Sequence, residues 1–217
     1  MGLLNFLLDT EWPLVFIAFY LFFLAWVIIK SNRQWKALGA EIQKNEQNPH
    51  TCFVLLSRYL KSNPFSQMNS TVRLMAIPIL LQLNDVAQLR IYVKKIRAVD
   101  IMSGSADYLM FALFLLKENG YEFEYNLLKE KCQKSYKECK TNLFQNLMGE
   151  TIDVDRLPEA EELPVTQFKF TRALIAYYKG LDFLQNQEQE KAQVQFALAQ
   201  EVLPNIKTFL NKKGYAV

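Results

Sequence analysis

The sequence predicts an all-α protein in which one N-terminal transmembrane helix is followed by a domain of helical hairpins. Three observations carry this prediction. Gly and Pro number only seven each in 217 residues, whereas helix-forming residues such as Leu, Lys, Gln and Glu are plentiful. Residues 12–29 contain no charged side chain. Beyond residue 50, apolar side chains recur at the spacing of one face of an α-helix.

The predicted transmembrane segment covers residues 12–30. Its 18 uncharged residues from Trp12 to Ile29 would rise roughly 27 Å as a helix, which nearly crosses a hydrocarbon core of about 30 Å. Acidic residues precede the segment and basic residues follow it. Because positive flanks stay in the cytoplasm, we predict an external N-terminus and a cytoplasmic C-terminal domain. The predicted membrane-interface residues are Trp12, Lys30, Arg33, Trp35 and Lys36.

This segment has three alternatives to a simple anchor. A cleaved secretory signal is rejected because residues 1–29 contain no Lys or Arg. A buried core helix of a soluble protein is the second alternative, and the absence of a polar stripe argues against it. The aromatic residues of the segment could also dock on another membrane protein. The composition, which is poor in Gly and contains Lys and Asn, favours a bacterial cell membrane.

The rest of the chain divides at turn-forming residues. Asn63 with Pro64, Asn84 with Asp85, and Gly120 interrupt the helical periodicity. We predict a helix over 70–83 that contains Pro78, a central apolar helix over 108–116, and a long amphipathic helix whose apolar positions are Phe123, Leu127, Cys132, Tyr136, Cys139, Leu143 and Leu147. The predicted segments are 1–11 (extracytoplasmic, interfacial), 12–30 (membrane), 31–49 (juxtamembrane helix or linker), 50–148 (hairpin array), 149–165 (acidic loop) and 166–217 (helical pair with a capping helix).

The C-terminal pair carries the most specific motif. Gly180 is followed by Phe183, and the second helix has Ala192, Phe196 and Ala199 before Pro204. This small and aromatic series resembles a tetratricopeptide repeat (TPR), in which small residues let two helices cross closely. Lys179 departs from the large apolar residue that is usual at its position. The resemblance implies a TPR-like α-solenoid, because a single repeat needs neighbours to bury its apolar face.

The same resemblance implies protein binding, since stacked helical hairpins present a groove to peptides or partner helices. The chain is therefore interpreted as a membrane-anchored scaffold or adaptor for an unidentified protein partner, which could itself be a membrane protein. Exposed residues of the first helix of the pair are the candidate contacts: Lys169, Arg172, Tyr177 and Lys179. The plainer interpretation of these four is a solvated surface with one core tyrosine.

Catalysis is not predicted. The only histidine is His50, and the sequence contains neither a nucleophile elbow nor a phosphate-binding loop. Cys52, Cys132 and Cys139 have no disulfide or zinc spacing, so reduced thiols are expected. Asp153 and Asp155 alone do not make a metal site. The prediction is therefore a protein without catalytic residues, metal or cofactor.

Basic helical faces offer the alternative function. Lys94, Lys95 and Arg97, together with the lysines of residues 129–140, could meet anionic lipid at the membrane surface, or the domain could self-associate into a homo-oligomer. Nucleic acid is not an expected partner, because the net charge is only +3 and Glu130 and Glu138 interrupt the lysines.

Overall fold

A computed structural model describes residues 12–64, 66, 68–135, 142–148 and 152–215. These residues are helical and contain no strand, which confirms the all-α class. The chain divides into two compact units, residues 1–66 and residues 67–217. The predicted extracytoplasmic segment, residues 1–11, lies outside the described residues.

The first unit is a helical hairpin made of α1 (Trp12–Lys44) and α2 (Pro49–Ser62). Pro49 occupies the first helical position of α2, and the Asn48 side chain accepts a hydrogen bond from the Thr51 amide at 3.0 Å. The two helices run antiparallel, because the Trp35 ring packs edge-on against the Tyr59 ring at 6.1 Å while the Cys52 thiol reaches the Asn45 carbonyl at 3.1 Å. Thus α1 continues well beyond the predicted membrane segment, as the sequence indicates.

Among the described residues, none of the helices offers a stretch of the length and apolarity that crossing a membrane requires. The predicted segment 12–30 includes seven positions, 12–16, 24 and 28, whose side chains lie outside the described set.

The second unit contains eight described helices. Their bounds are α3 Asn69–Gln82, α4 Val86–Lys95, α5 Ala106–Glu118, α6 Glu122–Ser135, α7 Asn142–Leu147, α8 Val165–Gln185, α9 Gln189–Gln200 and α10 Ile206–Lys212. Short 3-10 turns occur at Ala98–Asp100, Ser103–Ser105, Val154–Arg156 and Ala160–Glu162.

Helix α5 is the centre of this unit. All eight residues from Leu109 to Leu116 are buried, and the helix contacts α3, α4, α6, α7 and α8. A helix that is apolar on every side is stable in water only when neighbours cover it on every side. The prediction of a central apolar helix is therefore confirmed.

The long amphipathic helix predicted from Phe123 to Leu147 differs in register from the observed one. Phe123 is 68% exposed, whereas Glu124, Leu128 and Cys132 form the buried face of α6. The prediction that placed Phe123 in the core is therefore wrong. Helices α6 and α7 flank residues 136–141, so the predicted positions Tyr136 and Cys139 lie outside the described part of the chain.

The predicted acidic loop, residues 149–165, is not simply solvated where the structure describes it. Leu157 and Ala160 are buried, and the turns Val154–Arg156 and Ala160–Glu162 contact α8. The acidic composition of the segment did not indicate that Leu157 and Ala160 are buried.

The predicted C-terminal pair is present as α8 and α9. Ala192, Phe196 and Ala199 are buried between the helices. A Cβ atom placed on Gly180 would lie 2.5 Å from Cε1 of Phe196. The helices therefore approach closely because residue 180 lacks a side chain.

We expect Gly180→Ala to lower the free energy of unfolding by about 1–3 kcal/mol, because the added methyl group overpacks against the buried Phe196 ring. Urea unfolding followed by circular dichroism measures the change. Gly39→Ala is the matched control, since it adds the same methyl group to α1 where no atom lies within 4 Å. That control should be neutral or stabilising. Equal effects of the two substitutions would contradict the close approach of α8 and α9.

Candidate functional site

The most conspicuous surface of the first unit is the apolar part of α1. Nine large apolar or aromatic side chains between residues 17 and 29 are 40% to 72% exposed. At about 100° per residue, their positions leave no gap wider than about 80° around the helix axis. The residues are Ile17, Phe19, Tyr20, Leu21, Phe22, Phe23, Trp26, Val27 and Ile29.

This arrangement differs from the surface of a helix that docks in a protein groove. Such a helix presents one apolar stripe and keeps its other side polar. The apolar part of α1 has no polar side among its described residues, and no other described residue of the first unit covers it. An exposed apolar surface of this extent calls for a surrounding apolar medium or for a partner that encloses the helix.

The predicted membrane-interface residues take different positions. The Lys30 ammonium lies 4.9 Å from the Trp26 ring centroid, at the end of the apolar part of α1. Arg33 and Lys36 are exposed. Trp35 is only half-buried and packs on Tyr59 of α2, so its indole also joins the two helices of the hairpin. The side chain of Trp12 lies outside the described residues.

Only two of the four predicted protein-contact residues are accessible. Lys169 and Arg172 line one shallow cavity on the outer side of the α8–α9 pair, together with Ala160, Ala173, Leu198, Glu201 and Val202. Lys169 and Arg172 outnumber the single carboxylate of Glu201 around apolar residues, a combination that can accept a carboxylate or a carbonyl group beside an apolar side chain. We call this cavity and its lining residues the Arg172 cavity.

Tyr177 and Lys179 are buried, so their prediction as exposed contacts is wrong. Tyr177 is a core residue whose ring packs against Phe114 at 5.1 Å, and burial raises the pKa of its hydroxyl well above the ordinary value. The Lys179 ammonium forms an ion pair with Glu159 of the acidic segment. Tyr177 therefore packs α8 against α5, and Lys179 joins α8 to the acidic segment.

The Arg172 cavity is positioned by a carboxylate from α5. Helix α8 is interrupted at Phe168, whose φ and ψ are −130° and 34°. Asp107 then accepts hydrogen bonds from the amides of Thr171 at 2.6 Å and Phe170 at 3.2 Å, which caps the helix that restarts there. Burial raises the pKa of the Asp107 carboxyl, and the bonds from the two amides oppose this shift. The central helix thus fixes the direction in which Lys169 and Arg172 leave α8.

Sequence reasoning missed an ionic cluster between α4 and α6, in which two partly exposed cations cover the buried carboxylate of Glu124. The Glu124 carboxylate lies 2.7 Å from Lys94 Nζ and 2.9 Å from Arg90 Nη2. These two cations hold the pKa of Glu124 down to about 2. Two features of the sequence could have indicated this cluster. The spacing of Arg90 and Lys94 places two cations on one face of α4. Glu124 precedes Leu128 by four residues, which places its carboxylate on the buried face of α6.

A lysine of α6 reinforces this joint. Lys131 Nζ donates hydrogen bonds to the carbonyl oxygens of Val93 at 2.9 Å and Lys94 at 3.0 Å, which are among the last carbonyls of α4. Burial lowers the pKa of Lys131. The adjacent Cys132 is fully buried, and its thiol pKa is raised to about 12 by desolvation. This thiol is correspondingly unreactive.

Compared with protein-family models, with curated proteins and with solved structures, the chain has no match.

We expect Glu124→Gln to lower the melting temperature at neutral pH, because Arg90 and Lys94 lose the carboxylate that they share. The folded pKa of about 2 lies below the ordinary value, so this stabilisation is present above about pH 4.3 and disappears as the pH falls towards 2. Melting curves from pH 7 to pH 2 should therefore converge for variant and parent. Glu122→Gln, at an exposed position in the first turn of the same helix, is the control and should have a clearly smaller effect at neutral pH than Glu124→Gln. A constant difference between Glu124→Gln and the parent at all pH values would contradict the assignment.

Proposed function

We propose that the chain is a single-pass membrane protein whose helical domain presents a TPR-like helix pair to a protein partner. The observation that carries the proposal is the distribution of nine exposed apolar side chains around every side of α1. A lipid bilayer covers a helix from all directions at once, whereas a protein groove covers one side of it. The uncharged run from Trp12 to Ile29 agrees with this environment in length.

The flanking charges favour one orientation. Lys30, Arg33 and Lys36 follow the apolar part of α1, while Asp9 and Glu11 precede it. We therefore propose that the N-terminus is external and that residues 31–217 are cytoplasmic. The juxtamembrane helix then raises the α1–α2 turn away from the membrane, since the 14 residues from Ser31 to Lys44 rise about 21 Å.

The Arg172 cavity is the surface that we assign to the protein partner. Its elements are rigid, because α8 is capped by Asp107, closed against α9 at Gly180, and tied to the acidic segment by Lys179 and Glu159. Binding to a preorganised surface costs less conformational entropy than binding to a loop. Arg172 is the chemically favoured anchor, because its planar guanidinium recognises a carboxylate through two parallel hydrogen bonds.

We expect the double substitution Leu21→Lys with Phe22→Lys to remove the chain from the membrane. Each lysine near the middle of a span costs roughly 2.5–3.5 kcal/mol of insertion free energy. The measurement is the fraction of full chain that remains in the membrane pellet after alkaline carbonate extraction. Ala40→Lys, an exposed position of the same helix beyond the apolar part, is the control and should stay in the pellet. Complete extraction of the parent chain would contradict the proposed anchor.

We expect Lys169→Glu with Arg172→Glu to reduce partner capture by roughly tenfold or more if these residues anchor the interface. Full-length chains are purified from native membranes in mild detergent, and co-purifying proteins are quantified by mass spectrometry relative to the chain. Lys207→Glu, an exposed charge reversal on α10, is the control and should retain the partner.

The same experiment includes a chain that lacks residues 1–30, which is purified from the soluble fraction and mixed with the detergent extract of the same membranes so that it meets the same partners. Capture that survives the double substitution but is lost with this truncation would place recognition in the apolar part of α1 and would contradict the assignment to the Arg172 cavity. Capture that survives both changes would contradict both assignments.

A further inference from the structure

The exposed apolar side chains of the second unit are concentrated in one region. Six large hydrophobic residues are exposed in its described part. Four of them lie on α4, in the segment that follows it, or in the first turn of α6: Ile91, Val99, Met102 and Phe123. Val99 is 85% exposed, the highest value among these six residues. Exposed apolar side chains are typical of an interaction site when they share one surface, so the contacts between these elements are the next observation.

Direct contacts join these elements. The Lys94 ammonium lies 5.6 Å from the Phe123 ring centroid and pairs with Glu124. Ser135 at the end of α6 donates a hydrogen bond to the Ala98 carbonyl at 2.6 Å, next to Val99. These contacts therefore join α6 to the C-terminal half of α4 and to the turn Ala98–Asp100. We define the α4–α6 surface as Arg90, Ile91, Lys94, Lys95, Val99 and Phe123.

The outer side of α4 combines positive charge with an apolar centre. Arg90, Ile91, Lys94 and Lys95 fall within about 140° of the helix circumference, while Leu89 and Val93 face the core. Ile91 therefore lies among three cations. A basic helix face with an apolar centre is the pattern of segments that lie on a membrane surface, where cations meet lipid headgroups and apolar side chains enter the interface.

The charge of the second unit is unevenly distributed. Residues 90–102 and 121–135 contain seven cations and four carboxylates, a net charge of +3, whereas residues 152–165 contain five carboxylates and one arginine. The acidic segment packs on α8, and α5 contacts α8 as well as α4 and α6. At the α4–α6 surface, Glu124 offsets part of the charge of Arg90 and Lys94, and Glu122 is exposed next to Phe123, whereas Lys95 is exposed on the outer side of α4.

The proposed anchor also raises the concentration of lipid that the second unit meets. Within the first unit, α2 returns along α1, so that Tyr59 lies beside Trp35, a few residues beyond Lys30. A domain on the same chain as a membrane anchor meets lipid at a high effective concentration.

We infer that the α4–α6 surface docks on an anionic lipid bilayer, with Val99, Phe123 and Ile91 entering the interface while Lys94, Lys95 and Arg90 face the headgroups. The inference rests on the proposed membrane anchor, whose cytoplasmic orientation places the domain beside the anionic leaflet. Docking makes the second unit adopt a fixed orientation on the membrane, with the acidic segment kept from the lipid by charge repulsion.

The test places an environment-sensitive fluorescent amino acid at Val99 of the full chain and, in a second protein, at Val194. Val194 is the matched control because it is an exposed valine of α9, at 60%. Each protein is incorporated into single-copy nanodiscs of phosphatidylcholine, alone or mixed with phosphatidylserine. We expect a blue shift at position 99 only with phosphatidylserine, its reversal at high salt, and no shift at position 194.

Two substitutions sharpen the test. Lys95→Gln should lower the ratio of docked to free protein about fivefold, because each cation near an anionic surface contributes a comparable factor. Phe123→Ser should also weaken docking, and because Phe123 is exposed and loses only its ring contact with Lys94, the variant should stay folded with a melting temperature only slightly below that of the parent. Unchanged docking in both variants would overturn the assignment of these residues.

The remaining outcomes separate this inference from the anchor on which it rests. No shift in incorporated chains overturns lipid docking and leaves the anchor standing. Equal shifts in both lipids overturn anionic recognition, and a shift seen only when discs carry several copies assigns the surface to contact between copies instead. A chain that fails to enter the discs refutes the anchor. That chain is then mixed with preformed vesicles of the same two lipid compositions. A blue shift at position 99 only with phosphatidylserine supports docking, and no shift overturns it.

Discussion

The second unit depends on the complete enclosure of α5. Its residues Leu109 to Leu116 are buried on every side, and each neighbouring helix is positioned by the part of α5 that it covers. The enclosure also has polar fixed points: Asp107 at one end of α5 caps the restarted α8, and Glu118 at the other end pairs with Lys213 after α10. Packing in the middle and directional polar contacts at both ends therefore specify one arrangement of the helices.

The need for cover on every side distinguishes the two apolar helices of this protein. Both α5 and the apolar part of α1 lack a polar side, yet the chain provides cover only for α5 among the described residues. The proposed anchor assigns the second cover to lipid, and the proposed surface around Lys95 and Val99 assigns part of the domain to the headgroup region of the same bilayer. Scaffold and lipid surface are then compatible, because the Arg172 cavity and the α4–α6 surface are built on different helices.

Sequence reasoning predicted elements whose signals are local. Asn84 with Asp85, and Gly120, lie at real breaks between helices, and the spacing of Gly180 and Phe196 describes a real contact between helices. Sequence reasoning failed where a shift of one residue changes which face of a helix is buried. Leu127 and Leu128 are adjacent apolar residues, so periodicity alone could not show that the face containing Glu124 is buried. The cations that pair with Glu124 come from α4, and Arg90 precedes Glu124 by 34 residues in the chain. Tyr177 and Tyr178 pose the same one-residue ambiguity, and burial of Tyr177 removed it from the predicted contacts.

The enclosure of α5 has a consequence for synthesis. Phe114 contacts Phe209 at 5.7 Å between ring centroids, so the last part of the cover is translated 95 residues after the helix it protects. At about 5–20 residues per second, a ribosome needs roughly 5 to 20 s for that distance. During this interval the nascent chain carries an apolar helix without its full cover, while the preceding apolar part of α1 has already emerged. Early engagement of α1 by the membrane insertion machinery would keep these two apolar segments from associating with each other before α8 and α10 exist.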